Sequence, residues 1–257
     1  MHTMNKKNKP FLIIQLRPED ETANNEYEAF LKYGALDQDE TVRLRAEQNG
    51  IPPLELTDYS GIIVGGSPFD ISTPDPEKSS LQKQIEKDFR VLFDRVVGTD
   101  FPFLGACSGN GLLGSYCGAS ISRRYGEPVG AANIHLTEAG RKEELLRDFP
   151  DTFRALLGHK EGCDEIPPGA TLLVRGDTCP VQMFRIKQNV FATQFHPEGD
   201  PDGFALRIAI YKHHGYFDPE EAKDLTNRVA HEVTPYANLI LHRFVDRYRT
   251  PIKIEVQ

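Results

Sequence analysis

The chain has 257 residues, 39% of them apolar, with 30 Lys+Arg against 38 Asp+Glu, the make-up of one large globular domain or a domain with a small appendage. A formal charge of -8 leaves no basic face for displacing the counterions of a phosphate backbone, so nucleic acid is not an expected partner. The basic stretch MHTMNKKNKP is followed by an apolar run of only six residues, FLIIQL, too short for a signal peptide or membrane span, and the four cysteines show no CxxC spacing; both point to reduced thiols in a cytoplasm.

Short β-rich runs alternate with amphipathic stretches: FLIIQL at 11–16, VRLRA at 42–46, GIIVGG at 61–66 and FPFLGA at 101–106. This alternation predicts an α/β fold with an open, mostly parallel sheet and helices on both faces. Leu81, Ile85, Phe89, Leu92 and Val96 fall at helical spacing behind Pro74 and Pro76, which predicts a crossover helix. Beyond residue 118, ASIS, TLLV at 171–174, VQMFRI at 181–186 and VFATQF at 190–195 give a half richer in hairpins, with Lys187-Gln188-Asn189 as one turn. From about 218 to 249 two helices are expected, one opened by Asp218-Pro219-Glu220-Glu221 and one by Thr234-Pro235. The expected division is a main domain over 10–212 and a C-terminal helical extension over 213–257 packed on it.

The chemistry concentrates in two segments. Gly105-Ala106-Cys107-Ser108-Gly109 joins an apolar strand to a glycine- and leucine-rich helix, so Cys107 is expected at a sharp strand-to-helix elbow. Its place at a helix N-terminus would favour the thiolate. The other segment, Val190 to Glu198, ends an apolar strand in His196-Pro197-Glu198, where Glu198 can hold the imidazole in one tautomer. Together they make a Cys107/His196/Glu198 triad. His213-His214 lacks a spaced third ligand, so no metal is expected, and with no GxGxxG or Walker sequence no cofactor is expected and no ATP-using step is encoded.

In motif order over residues 10 to 212 the chain resembles a class I glutamine amidotransferase domain, the type found as the glutaminase portion of GMP synthetase and in free-standing relatives. Gly65-Gly66-Ser67-Pro68 resembles the family's Gly-Gly-Pro loop, Gly105 to Gly109 its cysteine elbow, and Gln194 to Glu198 its Gln-Phe-His-Pro-Glu motif. The resemblance implies glutamine amidotransferase activity through a glutamyl thioester on Cys107. His196 would serve as acid and base, Glu198 would orient it, and the N–H groups of Gly66 and Ser108 would form the oxyanion hole. It also implies Gly65, Ser67, Asn110, Gly111 and His159 as substrate neighbours, and a separate ammonia-accepting synthetase chain as partner.

Two departures bear on the substrate. Gly111 stands where the family elbow usually carries glutamine, and His159-Lys160-Glu161 replaces the common His-Gly-Asp or His-Gly-Glu. The expected substrate is therefore glutamine or another γ-glutamyl amide. The competing reading is a binding or regulatory module that keeps the fold without turnover.

Overall fold

A computed structural model describes residues 8–215 and 217–249. The basic residues at the extreme N-terminus and the end of the expected C-terminal extension lie outside the described residues.

The first half alternates strand and helix. β1 (Phe11–Gln15), α1 (Asp20–Gly34), β2 (Thr41–Arg45), the short α2 (Ala46–Asn49), β3 (Gly61–Val64), α3 (Ser80–Thr99), β4 (Phe103–Ala106) and α4 (Ser108–Tyr116) follow one another. The second half supplies β5 (Ile121–Ser122), β6 (Glu127–Leu136), β7 (Thr152–His159), β8 (Gly162–Cys163), β9 (Ala170–Gly176), β10 (Met183–Ile186) and β11 (Val190–Thr193). It closes with α5 (Pro201–Tyr211), α6 (Ala222–Val229) and α7 (Pro235–Tyr248).

Nine strands form one sheet in the order β2-β1-β3-β4-β11-β10-β9-β6-β7, and β5 pairs with β8 separately. The pairs from β2 through β11 are parallel, and those from β11 to β7 are antiparallel. Only β10 and β6 therefore run against the common direction of this sheet, which is mostly parallel. The hairpin texture after residue 118 corresponds to its antiparallel half.

The two faces follow from the period-two placement of strand side chains. Phe11 and Ile13 of β1, Ile63, Leu104 and Phe191 point to one layer, where α1 contributes Tyr27 and Phe30 and α7 contributes Ala237, Ile240, Leu241, Phe244 and Val245. Leu12, Ile14, Ile62, Val64, Phe103 and Val190 point to the other, covered by Ile85, Phe89, Leu92, Phe93 and Val96 of α3 with Leu112 and Leu113 of α4. The C-terminal helix α7 is thus a wall of the main core. A third cluster joins Phe204 and Ile208 of α5 to Leu225 and Val229 of α6 over Leu156 of β7. No described helix is long and apolar enough to cross a membrane.

Candidate active site

β4 and β11 are neighbours in the sheet, paired in parallel from Val190 against Phe103 to Thr193 against Ala106. Their C-terminal ends deliver the cysteine elbow and the His-Pro-Glu turn to one edge, the crevice position where open α/β sheets place ligands.

Cys107 caps α4 with φ 53° and ψ -95°, outside the ordinary range for a residue with a side chain. Such backbone strain costs of order 1–3 kcal/mol and persists only where the surroundings over-determine it. Here the Cys107 N–H donates to Thr193 O at 2.8 Å and its carbonyl accepts from Asn110 N at 2.9 Å. Gly105 makes the turn sterically feasible, because a Cβ there would lie 2.9 Å from the Gly109 backbone.

His196 is 4% exposed and Glu198 fully buried. The imidazole Nδ1 and Glu198 Oε1 are 2.7 Å apart, which assigns the proton to Nδ1 and leaves Nε2 with a lone pair. The same Oε1 accepts from Arg207 Nη2 at 3.1 Å. Burial pushes the Glu198 carboxyl upward, but His196 and Arg207 outweigh it and hold the group well below the usual carboxylate range. Burial also lowers His196, against the opposing pull of Glu198.

Cys107, Ser108, Gly111, His159, Ser67 and His196 line one cleft of about 720 Å³, part of it open to solvent. No hydrogen bond joins the Cys107 thiol to His196 among the described residues. Burial opposes the helix N-terminus in setting the charge of this thiol. Burial pushes the thiol up to about 12, although Arg17 and Arg207 pull the other way. Burial thus disfavours the charged form of both the Cys107 thiol and the His196 imidazole.

Several other expected site residues stand elsewhere. Asn110 is fully buried and its Oδ1 accepts from Cys163 Sγ at 3.3 Å, so it faces the core behind the elbow and not the cleft. The cause is helical geometry: Gly111 lies three residues from Ser108 and shares its face, while Asn110 is two residues on and points away. Gly65 does not line the cleft; its missing side chain makes room for the Glu26 carboxylate, which would sit 2.4 Å from a Cβ there. The Gly66 N–H donates to Glu26 Oε1 at 3.2 Å, so in this state it is committed to that carboxylate rather than offered to an oxyanion. Ser108 is better placed, since the first N–H groups of a helix have no intrahelical acceptor. Its Oγ also accepts from Ser67 N at 2.7 Å, tying the glycine loop to the elbow.

His159 lines the cleft but is anchored beneath it, with Nδ1 to Glu161 O at 2.8 Å and Nε2 to Glu127 Oε2 at 2.9 Å. Glu127, His159 and Cys179 bring their donor atoms within 4.8 Å of one another. Gln182 Nε2 also donates to Glu127 Oε2 at 2.6 Å, so Glu127, His159 and Gln182 are already joined by hydrogen bonds, whereas the Cys179 thiol donates to Val181 O at 3.8 Å and burial pushes it up to about 12. His213 and His214 sit exposed beyond α5.

Four neighbours of the candidate site have no sequence motif that marks them: Arg17, Glu26, Arg207 and Tyr211. Arg17 donates from Nε to Glu26 Oε1 at 2.7 Å and from Nη1 to Tyr211 at 3.4 Å, and it lines the cleft. It lies two residues past the end of β1, where a charged residue after the apolar run FLIIQL is the available signal.

A strained cysteine elbow and a buried His–Glu pair at the C-terminal edge of a mostly parallel sheet define an α/β protein with a nucleophile-type site. A sequence profile described as glutamine amidotransferase class-I matches residues 29–208, and the chain belongs to that family. It is 26% identical over 140 residues to a glutamine-hydrolyzing GMP synthase subunit of Pyrococcus abyssi, covering 54% of this chain and 66% of the relative. The protein of the same name from Sulfurisphaera tokodaii is 28% identical over 148 residues, covering 57% of this chain and 71% of that one. For the Thermococcus kodakarensis relative, 30% identical, only 50% of its length is spanned. Among solved structures, a glutamine amidotransferase from Thermotoga maritima has a TM-score of 0.67 at 21% identity over 93% of this chain and 100% of that one. Another from Methylobacillus flagellatus reaches 0.73 at 19% identity over 98% and 100%, so the likeness of fold extends through the C-terminal helices.

Proposed function

We propose that the protein is a cysteine amidohydrolase of the amidotransferase type, acting on glutamine or another γ-glutamyl amide. The observation that carries this reading is the convergence of Cys107 and the His196–Glu198 pair on one cleft. His196 Nε2 takes the thiol proton as Sγ attacks the carboxamide carbon. The C–N bond then breaks, the leaving nitrogen takes the proton from His196, and the glutamyl group stays on Sγ as a thioester. Water, deprotonated by His196, attacks the thioester; the C–S bond breaks, glutamate leaves and the thiol is restored. Because burial disfavours both ions at rest, charge separation is confined to the attack itself.

The Ser108 N–H and the Gly66 N–H, once turned from Glu26, are the donors proposed for the oxyanion. Ser67, Gly111 and His159 remain as substrate neighbours. In this reading residues 10–212 carry Cys107, His196 and Glu198, and the segment from 213 onward braces that domain and adds Phe217 to the lining of the cleft. The three relatives described above all bear the name of a GMP synthase subunit, which supports an ammonia-accepting synthetase chain as partner if free glutamine is the substrate.

The test is hydrolysis of glutamine and a panel of γ-glutamyl amides by the wild-type protein and by Cys107→Ala. Turnover that disappears in the variant supports the reading; turnover retained in the folded variant overturns it.

A further inference from the structure

The walls of the cleft differ in character around the imidazole. Phe204 stands edge-on to His196, ring centroids 5.4 Å apart at 81°. Phe204 and Ile208 belong to one buried apolar cluster, and Val129 of β6 and Phe217, in the segment between α5 and α6, pack against it. All four line the cleft, and Val129 and Phe217 are only half-buried, so they present apolar surface to it. Other lining groups are polar: Ser67, Asp70, Lys160 and Glu161, with Asp70 3.6 Å from Lys160 Nζ, and Arg17, Arg207 and Tyr211, of which Arg207 lies on the Nδ1 side of His196.

In the reaction proposed above the leaving nitrogen must lie at His196, because that is where it collects its proton. Whatever the nitrogen carries then lies against the groups flanking the imidazole, while the charged end of a γ-glutamyl group suits the polar side. The amide nitrogen of free glutamine leaves as ammonia and places nothing on the apolar wall. The cleft opens to solvent beside this wall, so a substituent on the leaving nitrogen can extend along Val129 and Phe217.

We infer that Val129, Phe204, Ile208 and Phe217 form a leaving-group subsite, and that the preferred substrates are γ-glutamyl amides with an apolar substituent on nitrogen. The inference rests on the amidohydrolase reading. It assigns Phe217, from the segment beyond the common domain, a part in substrate choice. The bond chemistry is unchanged: C–N cleavage releases an apolar amine with the His196 proton, and water supplies the second step.

The experiment compares kcat/KM for the γ-glutamyl amides of methylamine, ethylamine, propylamine, butylamine and benzylamine with that for glutamine, using the full chain and Cys107→Ala as the blank. The expected rise is about two- to fourfold per methylene, the factor that burial of a CH₂ group gives. The slope should flatten in Phe217→Ala and in Val129→Ala, two changes on different elements. A flat wild-type series, with small amides still turned over, overturns the subsite and leaves the amidohydrolase reading standing. A slope unaltered in both variants overturns the assignment of this wall. Failure to turn over any of these amides, glutamine included, sinks the amidohydrolase reading and the subsite with it.

Discussion

Arg207 donates from Nη2 to Glu198 Oε1 at 3.1 Å, the same oxygen that lies 2.7 Å from His196 Nδ1. One carboxylate oxygen thus holds the imidazole in its tautomer and is itself held by a buried guanidinium. Arg207 Nη1 also comes within 3.3 Å of His196 Nδ1; with the proton on that nitrogen, this contact opposes a second positive charge on the ring.

Arg207 is therefore expected to set the acid limb of the pH profile. Burial first, and Arg207 in the same direction, lower His196 below its ordinary value of about 6.5. Attack needs neutral His196, so the acid limb of kcat/KM in the wild type lies below that pH. Arg207→Met should move the limb to higher pH, whereas Arg207→Lys keeps it in place. Removing one partner of a buried ion pair also destabilises by about 3–5 kcal/mol, which a urea titration reads. An acid limb unmoved in Arg207→Met would contradict the positioning role.

Alkylation of Cys107 in the substrate-free protein should behave as that of a buried thiol. With burial pushing its pKa up to about 12, the rate with iodoacetamide, followed by peptide mass, should climb about tenfold per pH unit through the alkaline range. A plateau reached near neutrality would show instead a resting thiolate–imidazolium pair.

Much of this architecture is legible in the sequence. The apolar runs mark β1 to β4 and β9 to β11, most clearly where the strands are buried on both faces and read as continuous apolar stretches. By contrast β6, EPVGAANIHL, has a register irregularity between Glu127 and Gly130 and interrupts its alternation with proline, glycine and alanine. α5 carried a usable signal that went unread: Asp200-Pro201 has the same cap-and-proline start as Asp218-Pro219, and the Asp200 side chain accepts from Gly203 N. The triad residues were visible because each sits in a short local motif. Arg17, Glu26 and Arg207 were not, because Arg17–Glu26 and Arg207–Glu198 each join residues nine positions apart, with no local motif to mark them.

The C-terminal helix also reaches the site. Asn238 Nδ2 of α7 donates to Pro197 O at 2.9 Å and Gly199 O at 3.1 Å, the two carbonyls on either side of Glu198. Asn238→Ala should lower stability by about 1–3 kcal/mol for the unsatisfied carbonyls and lower kcat more than it raises KM. Loss of stability with unchanged kinetics would reduce α7 to a brace.

The two elbow glycines should respond oppositely to side chains. Gly105→Ala would press a Cβ to 2.9 Å from the Gly109 backbone and should cost about 1–3 kcal/mol. At Gly111 a Cβ meets only Ile71 Cγ1 at 3.5 Å and Glu161 Oε1 at 3.8 Å, so Gly111→Gln should fold normally. One or two added hydrogen bonds of about 0.5–1.5 kcal/mol each would raise activity on free glutamine by roughly ten- to a hundredfold and lower it on bulkier amides. Robust glutaminase activity in the wild type, unimproved by the change, would show that Gly111 does not shape substrate choice.

The central claim is that Cys107 attacks the carbonyl of a γ-glutamyl substrate, and the most direct measurement is intact-mass analysis after incubation with a glutamine-like electrophile. One adduct per chain, mapped to Cys107, absent in Cys107→Ala and slowed in His196→Gln, is the predicted result. No adduct, or labelling spread over Cys117, Cys163 and Cys179 with Cys107 untouched, would contradict the account.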